Sequence, residues 1–285
     1  MGDQNRHLAR RFLFMPELPE VETTLRGIRN HLRGALVAEV VFRTERLRWP
    51  LAQELVYTLP GQAIRDVVRR GKYLLLHCTA GTLLIHLGMS GSLRLVRAGT
   101  AAGVHDHVDL ATNTGPVLRL TDPRKFGAVL WIEGDPAQHP MLREMGPEPL
   151  SADFDAAYLY QRAQGRSRSV KAFLMDGKVV PGVGNIYANE ALFQAGIRPD
   201  TPAGKLTAAQ CVTLVAAVKE VLVRAIAAGG TTLRDFVDAG GKPGYFKQQL
   251  NVYGRGGQPC PRCQTPLTSV RLDMRATVFC ERCQR

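Results

Sequence analysis

Near the start of the chain a proline follows an internal methionine, and a carboxylate follows the proline: Met15, Pro16 and Glu17. If translation begins at Met15 and the methionine is removed, the Pro16 nitrogen is a secondary amine with a pKa of roughly 8, against about 10.4 for a lysine side chain. Such an amine attacks aldehyde-like carbons to give iminium ions, and a neighbouring carboxyl can donate or accept the proton. The pair therefore predicts imine catalysis. The alternative is that Pro19 and the surrounding acidic residues only open a helix.

The imine chemistry requires Pro16 to be the first residue. In a chain that retains residues 1–14, the Pro16 nitrogen is a tertiary amide without nucleophilicity. We interpret residues 1–14 as lying upstream of the true start or as a removable leader, with a short targeting peptide as a further alternative. These residues hold three arginines and only a short apolar patch, so they do not form a secretory signal.

Four of the six cysteines form two Cys-x-x-Cys pairs near the C-terminus, with sixteen residues between the pairs: Cys260, Cys263, Cys280 and Cys283. This spacing is typical of a tetrahedral zinc site with four thiolate ligands. Because such a site is closed, we expect one structural Zn²⁺ ion and exclude a zinc hydrolase. Two disulfides are the alternative, which the missing secretory signal disfavours. Residues 270–279, between the pairs, predict a two-stranded ribbon.

Three further turns carry side chains suited to binding DNA. The glycine turn at residues 181–184 leads into a helix that we expect Asn185 to cap, with free N–H groups available to a phosphate. The other two turns follow strands and present Met89 in one, and Arg124 and Phe126 in the other. Apolar wedges and arginines in loops can unstack a duplex. The alternative is that Met89 and Phe126 fill the β core.

The charge of the chain indicates the class of its binding partner. The formal net charge is +12 and the pI is about 9.8, in a chain of ordinary globular composition with 45% hydrophobic residues. This charge favours a polyanion, with nucleic acid as the first expectation. No apolar run approaches the roughly 20 residues that span a bilayer. We expect a protein of the reducing cell interior, cytoplasmic and associated with the nucleoid.

Hydrophobic periodicity indicates which elements position these residues. Val21, Leu25, Ile28 and Leu32 predict an amphipathic helix that Gly34 ends. Short Val-, Leu- and Ile-rich runs then predict a sandwich or barrel. The predicted strands are 36–43, 62–68, 73–77, 83–87, 92–96, 108–111, 117–120 and 128–132.

The second half of the chain is predicted to be mainly helical. A proline-rich linker leads to a helix that begins with a capping box at Thr207 and Gln210 and ends at Gly229 and Gly230. The expected organisation is an extension at 1–15, a helix plus β-rich catalytic domain at 16–135, a linker at 136–150, a helical domain at 151–245 and a zinc finger at 246–285.

Together these motifs resemble the formamidopyrimidine-DNA glycosylase family, over essentially the whole chain from Met15 to Arg285. The resemblance implies an α+β fold with an N-terminal helix and β-sandwich, a helix–two-turn–helix domain and a zinc-finger hairpin. It is carried by Pro16–Thr23, Gly71–Leu76, His86–Gly91, His105–Asp109, Asp122–Gly127, Gly182–Ala188, Gly241–Phe246 and the four paired cysteines.

By this resemblance Pro16 attacks C1′ of a damaged nucleoside, with Glu17 as acid–base partner. Lys72 is the implied proton donor of β-elimination, and Arg275 that of δ-elimination. The resemblance assigns DNA binding to His105, Arg124, Arg166 and Asn185, and filling of the space left by the flipped base to Met89, Arg124 and Phe126. Gly241–Phe246 resembles the mobile loop over that base.

The function implied is a bifunctional base-excision repair enzyme, a DNA glycosylase and AP lyase that removes oxidised purines such as 8-oxoguanine and formamidopyrimidines. Its partner is double-stranded DNA containing oxidised bases or AP sites, and we expect a monomer. Two alternatives stay open. One is the sister glycosylase class that prefers oxidised pyrimidines. The other is a non-catalytic damaged-DNA-binding protein, if Pro16 is not terminal.

Overall fold

The computed structural model describes residues 16–230 and 249–285. Its first helix, α1, spans Leu18–Leu32 and buries the four apolar residues whose spacing predicts it. Gly34 follows with φ +82°, a left-handed conformation that favours glycine. The predicted helix and its end are therefore confirmed.

The eight predicted strands form two four-stranded antiparallel sheets, so that the sandwich, of the two predicted architectures, is confirmed. The sheet orders are β1-β6-β7-β5 and β2-β3-β4-β8. A short helix, α2 (Leu55–Thr58), lies between β1 and β2. The strands are β1 Val37–Phe42, β2 Asp66–Arg70, β3 Tyr73–His77, β4 Thr82–His86, β5 Ser92–Val96, β6 Asp106–Thr112, β7 Val117–Thr121 and β8 Ala128–Ile132.

The strand predicted at 62–68 is displaced, because its two halves have different partners. Residues 62–64 hydrogen-bond to the chain around the start of β1, and the Gln62 carbonyl accepts from Val37 N at 2.9 Å. From Asp66 onward the chain pairs with β3 instead. The two halves of this apolar run thus hydrogen-bond to strands of different sheets.

The helical part follows a proline-rich segment that packs on the sandwich, where buried Leu142 joins Leu75, Leu84 and Ile132. The predicted capping box at Thr207 is present, and Gly229 and Gly230 follow the last helix with positive φ. The helices are α3 Ala156–Ala163, α4 Val170–Leu174, α5 Asn185–Ala195 and α6 Ala208–Ala227. None of the helices in the two described ranges is long and apolar enough to cross a membrane.

Helix α1 belongs to both hydrophobic cores. Leu18, in its first turn, packs in the core of the helical part, whereas Val21, Leu25, Ile28 and Leu32 pack in the sandwich core. The N-terminal end of α1, which carries Pro16 and Glu17, therefore lies at the junction of the two parts.

The C-terminal residues form the predicted hairpin, with β9 at Thr268–Leu272 and β10 at Arg275–Phe279. Asp273 and Met274 connect the strands with φ of +48° and +60°, the signs of a type I′ turn. Val278 packs with Phe193 of α5 in a small core around the cysteines. The two remaining cysteines, Cys78 and Cys211, are buried thiols, as expected.

Candidate active site and nucleic-acid interface

The Glu17 carboxylate is buried, with 3% of the residue exposed. It accepts backbone hydrogen bonds from Gly184 (2.8 Å), Ile186 (2.9 Å) and Tyr187 (3.4 Å) at the start of α5. A carboxylate at this position interacts favourably with the positive end of the helix dipole. Glu17 thus joins the start of α1 to the start of α5.

Two glycines permit this approach. A Cβ on Gly184 would lie 2.3 Å from the Glu17 carboxyl carbon, and one on Gly182 would lie 2.7 Å from the Leu18 side chain. The predicted role of the glycine turn, close backbone approach, is therefore seen, but the group it approaches is Glu17.

The prediction that Asn185 caps α5 is wrong, because Gly184 is the N-cap and Asn185 is the first helical residue. The prediction of free N–H groups there is also wrong for Ile186 and Tyr187, which bind Glu17. Asn185 instead donates through Nδ2 to the Ala276 carbonyl of β10 at 3.1 Å.

Burial raises the pKa of Glu17 to about 7, although the Lys72 ammonium and the N–H groups of Ile186 and Tyr187 favour the carboxylate. A carboxyl with a pKa near neutrality can both donate and accept a proton at physiological pH. Beneath it, Glu20 accepts from Glu17 N at 3.0 Å and from the Tyr187 hydroxyl at 2.7 Å. Glu20 therefore holds Glu17 in place, which the helix-end interpretation of the sequence missed.

Lys72 and Arg275 meet at the same junction. Burial and the Arg275 guanidinium lower the pKa of Lys72, and the opposing effect of the Glu17 carboxylate is too small to restore it. Lys72 is half-buried just before β3, and Arg275 is exposed at the start of β10. The structure thus brings together the four residues predicted to be catalytic, from three separate parts of the chain.

The turn that carries Lys72 is hydrogen-bonded to Glu148, in the proline-rich segment between the sandwich and the helical part. Glu148 accepts from Arg69 (2.6 Å), Arg70 (3.0 Å) and the backbone of Gly71 (2.7 Å). Gly71 has φ +56°, and a Cβ there would lie 3.0 Å from the Pro181 side chain. This network fixes Lys72 relative to the glycine turn that binds Glu17.

Lys171 is a site residue that the sequence reasoning missed. Its ammonium donates to the Ala276 carbonyl (2.8 Å) and to the Thr277 hydroxyl (2.6 Å), with 2% of the residue exposed. Burial, followed by the Arg275 charge, lowers the pKa of Lys171 to about 7. Lys171 and Asn185 together attach β10 to the helical part beside Arg275.

The two turns that carry Met89, Arg124 and Phe126 form a second cluster, joined by Asp122. The Asp122 carboxylate accepts from the Ser90 hydroxyl (2.8 Å) and from Gly127 N (2.7 Å), which ties the two predicted turns together. The Arg124 guanidinium lies 4.5 Å from the centre of the Phe126 ring. Phe126 is 41% exposed, so the alternative that it fills the β core is wrong.

His86 links the two clusters and was also missed. Burial, together with the charges of Lys72 and Arg48, lowers the pKa of His86 to about 4, so the ring is neutral at physiological pH. Its Nδ1 accepts from Gly88 N at 3.1 Å. The ring proton therefore lies on Nε2, where it can be donated.

The last two predicted DNA-binding residues are exposed. His105 lies just before β6, and its carbonyl accepts from Asp122 N at 2.9 Å, which places it beside the Met89 cluster. Arg166 lies between α3 and α4, and within residues 16–230 and 249–285 no side-chain hydrogen bond or ion pair ties it to either cluster. Gly241–Phe246, which resembles the family's mobile loop, lies outside the described residues.

The four paired cysteines fit one zinc ion. Their sulfur atoms all lie within 4.8 Å of one another, and two of the separations are 3.9 Å (Cys260 to Cys283) and 3.4 Å (Cys263 to Cys280). Tetrahedral zinc with Zn–S bonds of about 2.3 Å requires sulfur separations of about 3.8 Å. Four thiolates leave no open coordination position, so the ion would stabilise the hairpin.

We expect removal of zinc to weaken DNA binding by about tenfold or more, because the hairpin that presents Arg275 is no longer stabilised by the metal. The measurement is affinity for an abasic-analogue duplex before and after chelation, with zinc content determined in parallel. Hydrogen exchange should increase in β9 and β10 and stay low in the sandwich strands. Unchanged affinity of a metal-free chain would contradict the expectation.

Comparisons with known proteins agree with this geometry. Residues 15–129 match the formamidopyrimidine-DNA glycosylase N-terminal domain, residues 145–237 match the H2TH domain of that enzyme, and residues 257–285 match the zinc finger found in FPG and IleRS. The formamidopyrimidine-DNA glycosylase of Cellvibrio japonicus is 55% identical over 271 residues, which cover 95% of this chain and all of the relative.

The chain belongs to the formamidopyrimidine-DNA glycosylase family. The predictions of a DNA glycosylase with AP lyase activity, of the fold class and of one structural zinc ion are thereby confirmed.

Two solved structures of this family extend the likeness to three dimensions. The crystal structure of MutM (Fpg) from Thermus thermophilus is 37% identical, with a TM-score of 0.83 and coverage of 94% of this chain and 98% of that one. A variant of the Lactococcus lactis Fpg in complex with DNA containing Fapy-dG is 31% identical. Its TM-score is 0.88, with coverage of 95% of this chain and all of that one.

Proposed function

We propose that this glycosylase removes oxidised purines, 8-oxoguanine and formamidopyrimidines, from double-stranded DNA through an imine on Pro16, and then cleaves the strand at the AP site by β,δ-elimination. The observation that carries the proposal is the gathering of Pro16–Glu17, Lys72 and Arg275 at one junction, with the pKa of Glu17 raised to about 7 by burial. The L. lactis relative has been solved on DNA containing Fapy-dG, which supports the purine class, and also on DNA containing an oxidised pyrimidine, so the kinetic comparison below tests the preference.

The reaction begins at the nitrogen of a terminal Pro16. Its lone pair forms a bond to C1′, and the electron pair of the glycosidic bond leaves with the base, which takes up a proton. The ammonium so formed loses its N–H proton, and the freed nitrogen lone pair then expels O4′ to give the iminium. O4′ takes up a proton, for which Glu17 is the proposed donor. With a pKa of about 7, a useful fraction of Glu17 is protonated at neutral pH.

Strand cleavage follows from the iminium, which acidifies the C2′ proton. Loss of that proton expels the 3′ phosphate, and a second elimination expels the 5′ phosphate. Lys72 is the proposed proton donor of the first elimination, and burial together with the Arg275 charge lowers its pKa, which makes its ammonium a stronger acid. Arg275, exposed at the start of β10, is the proposed proton donor of the second elimination and a proposed phosphate-binding residue.

DNA binding is the proposed role of the second cluster. Flipping a nucleotide costs a few kcal/mol, and Met89, Arg124 and Phe126 can offset this cost by filling the vacated space. His105, Arg166 and Asn185 are the proposed phosphate-binding residues, in keeping with the net charge of +12. We further propose a monomer that works in the bacterial cytoplasm on nucleoid DNA, as the bacterial relatives suggest.

The test of purine preference compares two duplexes of the same sequence, one with 8-oxoguanine opposite cytosine and one with thymine glycol. We expect faster single-turnover release of 8-oxoguanine. Faster release of thymine glycol would assign the protein to the pyrimidine-preferring alternative. Release of neither base from a chain that starts at Pro16, with binding retained, would favour the non-catalytic damage-binding alternative.

A further inference from the structure

A buried arginine on the outer face of the sandwich has no place in the proposed chemistry. Arg119 of β7 lies between Leu118 and Leu120, which point into the core, so its side chain is on the opposite face of the sheet. It is only 4% exposed. Its Nε and Nη2 donate to the two carboxylate oxygens of Asp109 on β6, at 2.8 and 2.7 Å. Burying an ion pair adds little stability by itself, so stability alone does not account for this buried arginine.

The rest of the Arg119 guanidinium binds the loop between β5 and β6. Nη1 donates to the Ala101 carbonyl and Nη2 to the Thr100 carbonyl, both at 3.0 Å. Further along, Asp106 accepts from Gly103 N at 2.8 Å, and its carboxylate lies 3.5 Å from Arg119 Nη1. One guanidinium and one carboxylate thus fix residues 100–103 against the sheet.

This loop ends at the exposed His105. Val104, the residue before it, is 86% exposed, so apolar packing does not hold the tip of the loop. On the far side, the His105 carbonyl accepts from Asp122 N, and Asp122 also orders the Met89 and Phe126 turns. The backbone of His105 is therefore fixed between the Arg119 network on one side and the Met89 cluster on the other.

We propose that Arg119 is a positioning residue for DNA binding, which holds the 97–105 loop in place and thereby sets His105 for a backbone phosphate. The inference rests on the proposed role of His105. A loop that is ordered before binding spares the complex the conformational entropy of ordering it. A guanidinium suits this task because its planar fork can bind Asp109 and two carbonyls at once.

The experiment compares Arg119→Gln with Arg43→Gln. Arg43 donates to the same Asp109 carboxylate at 2.6 Å. Within the described part of the chain its side chain is hydrogen-bonded to no carbonyl of the loop, which makes it a matched control. We expect Arg119→Gln to raise the Kd for an abasic-analogue duplex by about five- to tenfold and to raise KM with kcat unchanged. Arg43→Gln should change Kd by less than about twofold.

Combining each variant with His105→Ala separates positioning from general destabilisation. If Arg119 acts through His105, Arg119→Gln causes no further loss of affinity in the His105→Ala background, whereas its effect on thermal stability persists. An equal loss in both backgrounds, or no loss in either, would overturn the inference. If His105→Ala alone binds as tightly as the parent, the proposed role of His105 fails instead.

If Arg119→Gln does not fold, Asp106→Asn takes its place in the same cycle, because it weakens the Gly103 end of the loop. A loss of affinity that disappears in the His105→Ala background supports the inference. Parent-like affinity in Asp106→Asn, while His105→Ala binds weakly, rejects it.

Discussion

A chain that begins at Pro16 is expected to become covalently attached to an 8-oxoguanine duplex in the presence of borohydride, whereas a chain that retains residues 1–14 is expected to stay unattached. The reason is chemical, since only a terminal Pro16 has a nitrogen lone pair free to attack C1′. Reduction of the iminium makes the link permanent, so a gel shift or intact mass measures it directly.

The comparison is informative only if both chains fold and bind. Affinity for an abasic-analogue duplex, which needs no chemistry, serves as the control for each chain. Equal labelling of the two chains, with intact mass confirming that residues 1–14 are still present, would show that Pro16 is not the nucleophile.

Replacement of Glu17 by glutamine should slow formation of the borohydride-trappable imine on an 8-oxoguanine duplex by about 10²–10⁴-fold, the range for loss of a positioned general acid–base group, because Glu17 is the proposed donor of the proton to O4′. Part of the effect has a structural cause. The amide offers one acceptor oxygen where the carboxylate offers two, and its NH₂ group would face the N–H of Gly184 or Ile186. Single-turnover kinetics on the lesion duplex measures the loss.

A duplex with a ready-made AP site separates the two causes. The open-chain aldehyde of an AP site forms the imine without cleavage of a C1′–O4′ bond, so Glu17→Gln with a terminal Pro16 should still be trapped by borohydride on this duplex if the junction is intact. Loss of trapping on both duplexes, with a lowered melting temperature, would indicate that Glu17 acts chiefly as the bond between α1 and α5.

Local sequence patterns predict the helices, the strands and the zinc site well because each pattern reflects a constraint between residues that are close in the sequence. The spacing of Val21, Leu25, Ile28 and Leu32 follows directly from one buried helix face, and the cysteine spacing follows from tetrahedral coordination. The predicted strands Tyr73–His77, Ser92–Val96 and Ala128–Ile132 match the observed bounds, and the bounds of the other strands, apart from the one predicted at 62–68, differ by at most two residues.

Long-range polar contacts are where local reasoning fails. Glu17 and Gly184 are 167 positions apart, so the sequence around Asn185 could not show that the helix start is already occupied by a carboxylate. Lys171 contacts Thr277 across 106 positions, and its own neighbours only indicate a short helix. The resemblance to a family named the proposed catalytic residues, whereas the groups that hold them, Glu20 and Glu148 among them, emerge only from the fold.

The sharing of α1 between two cores has a consequence for how the enzyme loses activity. Chain ends normally fray at little cost, long before a domain unfolds. Here the residues next to the proposed reactive amine are anchored by Leu18 in one core and Val21 in the other. The start of α1, with Pro16, can therefore separate from the two cores only when the packing of a whole domain is disrupted. Heat should then abolish catalysis and global structure in a single cooperative step.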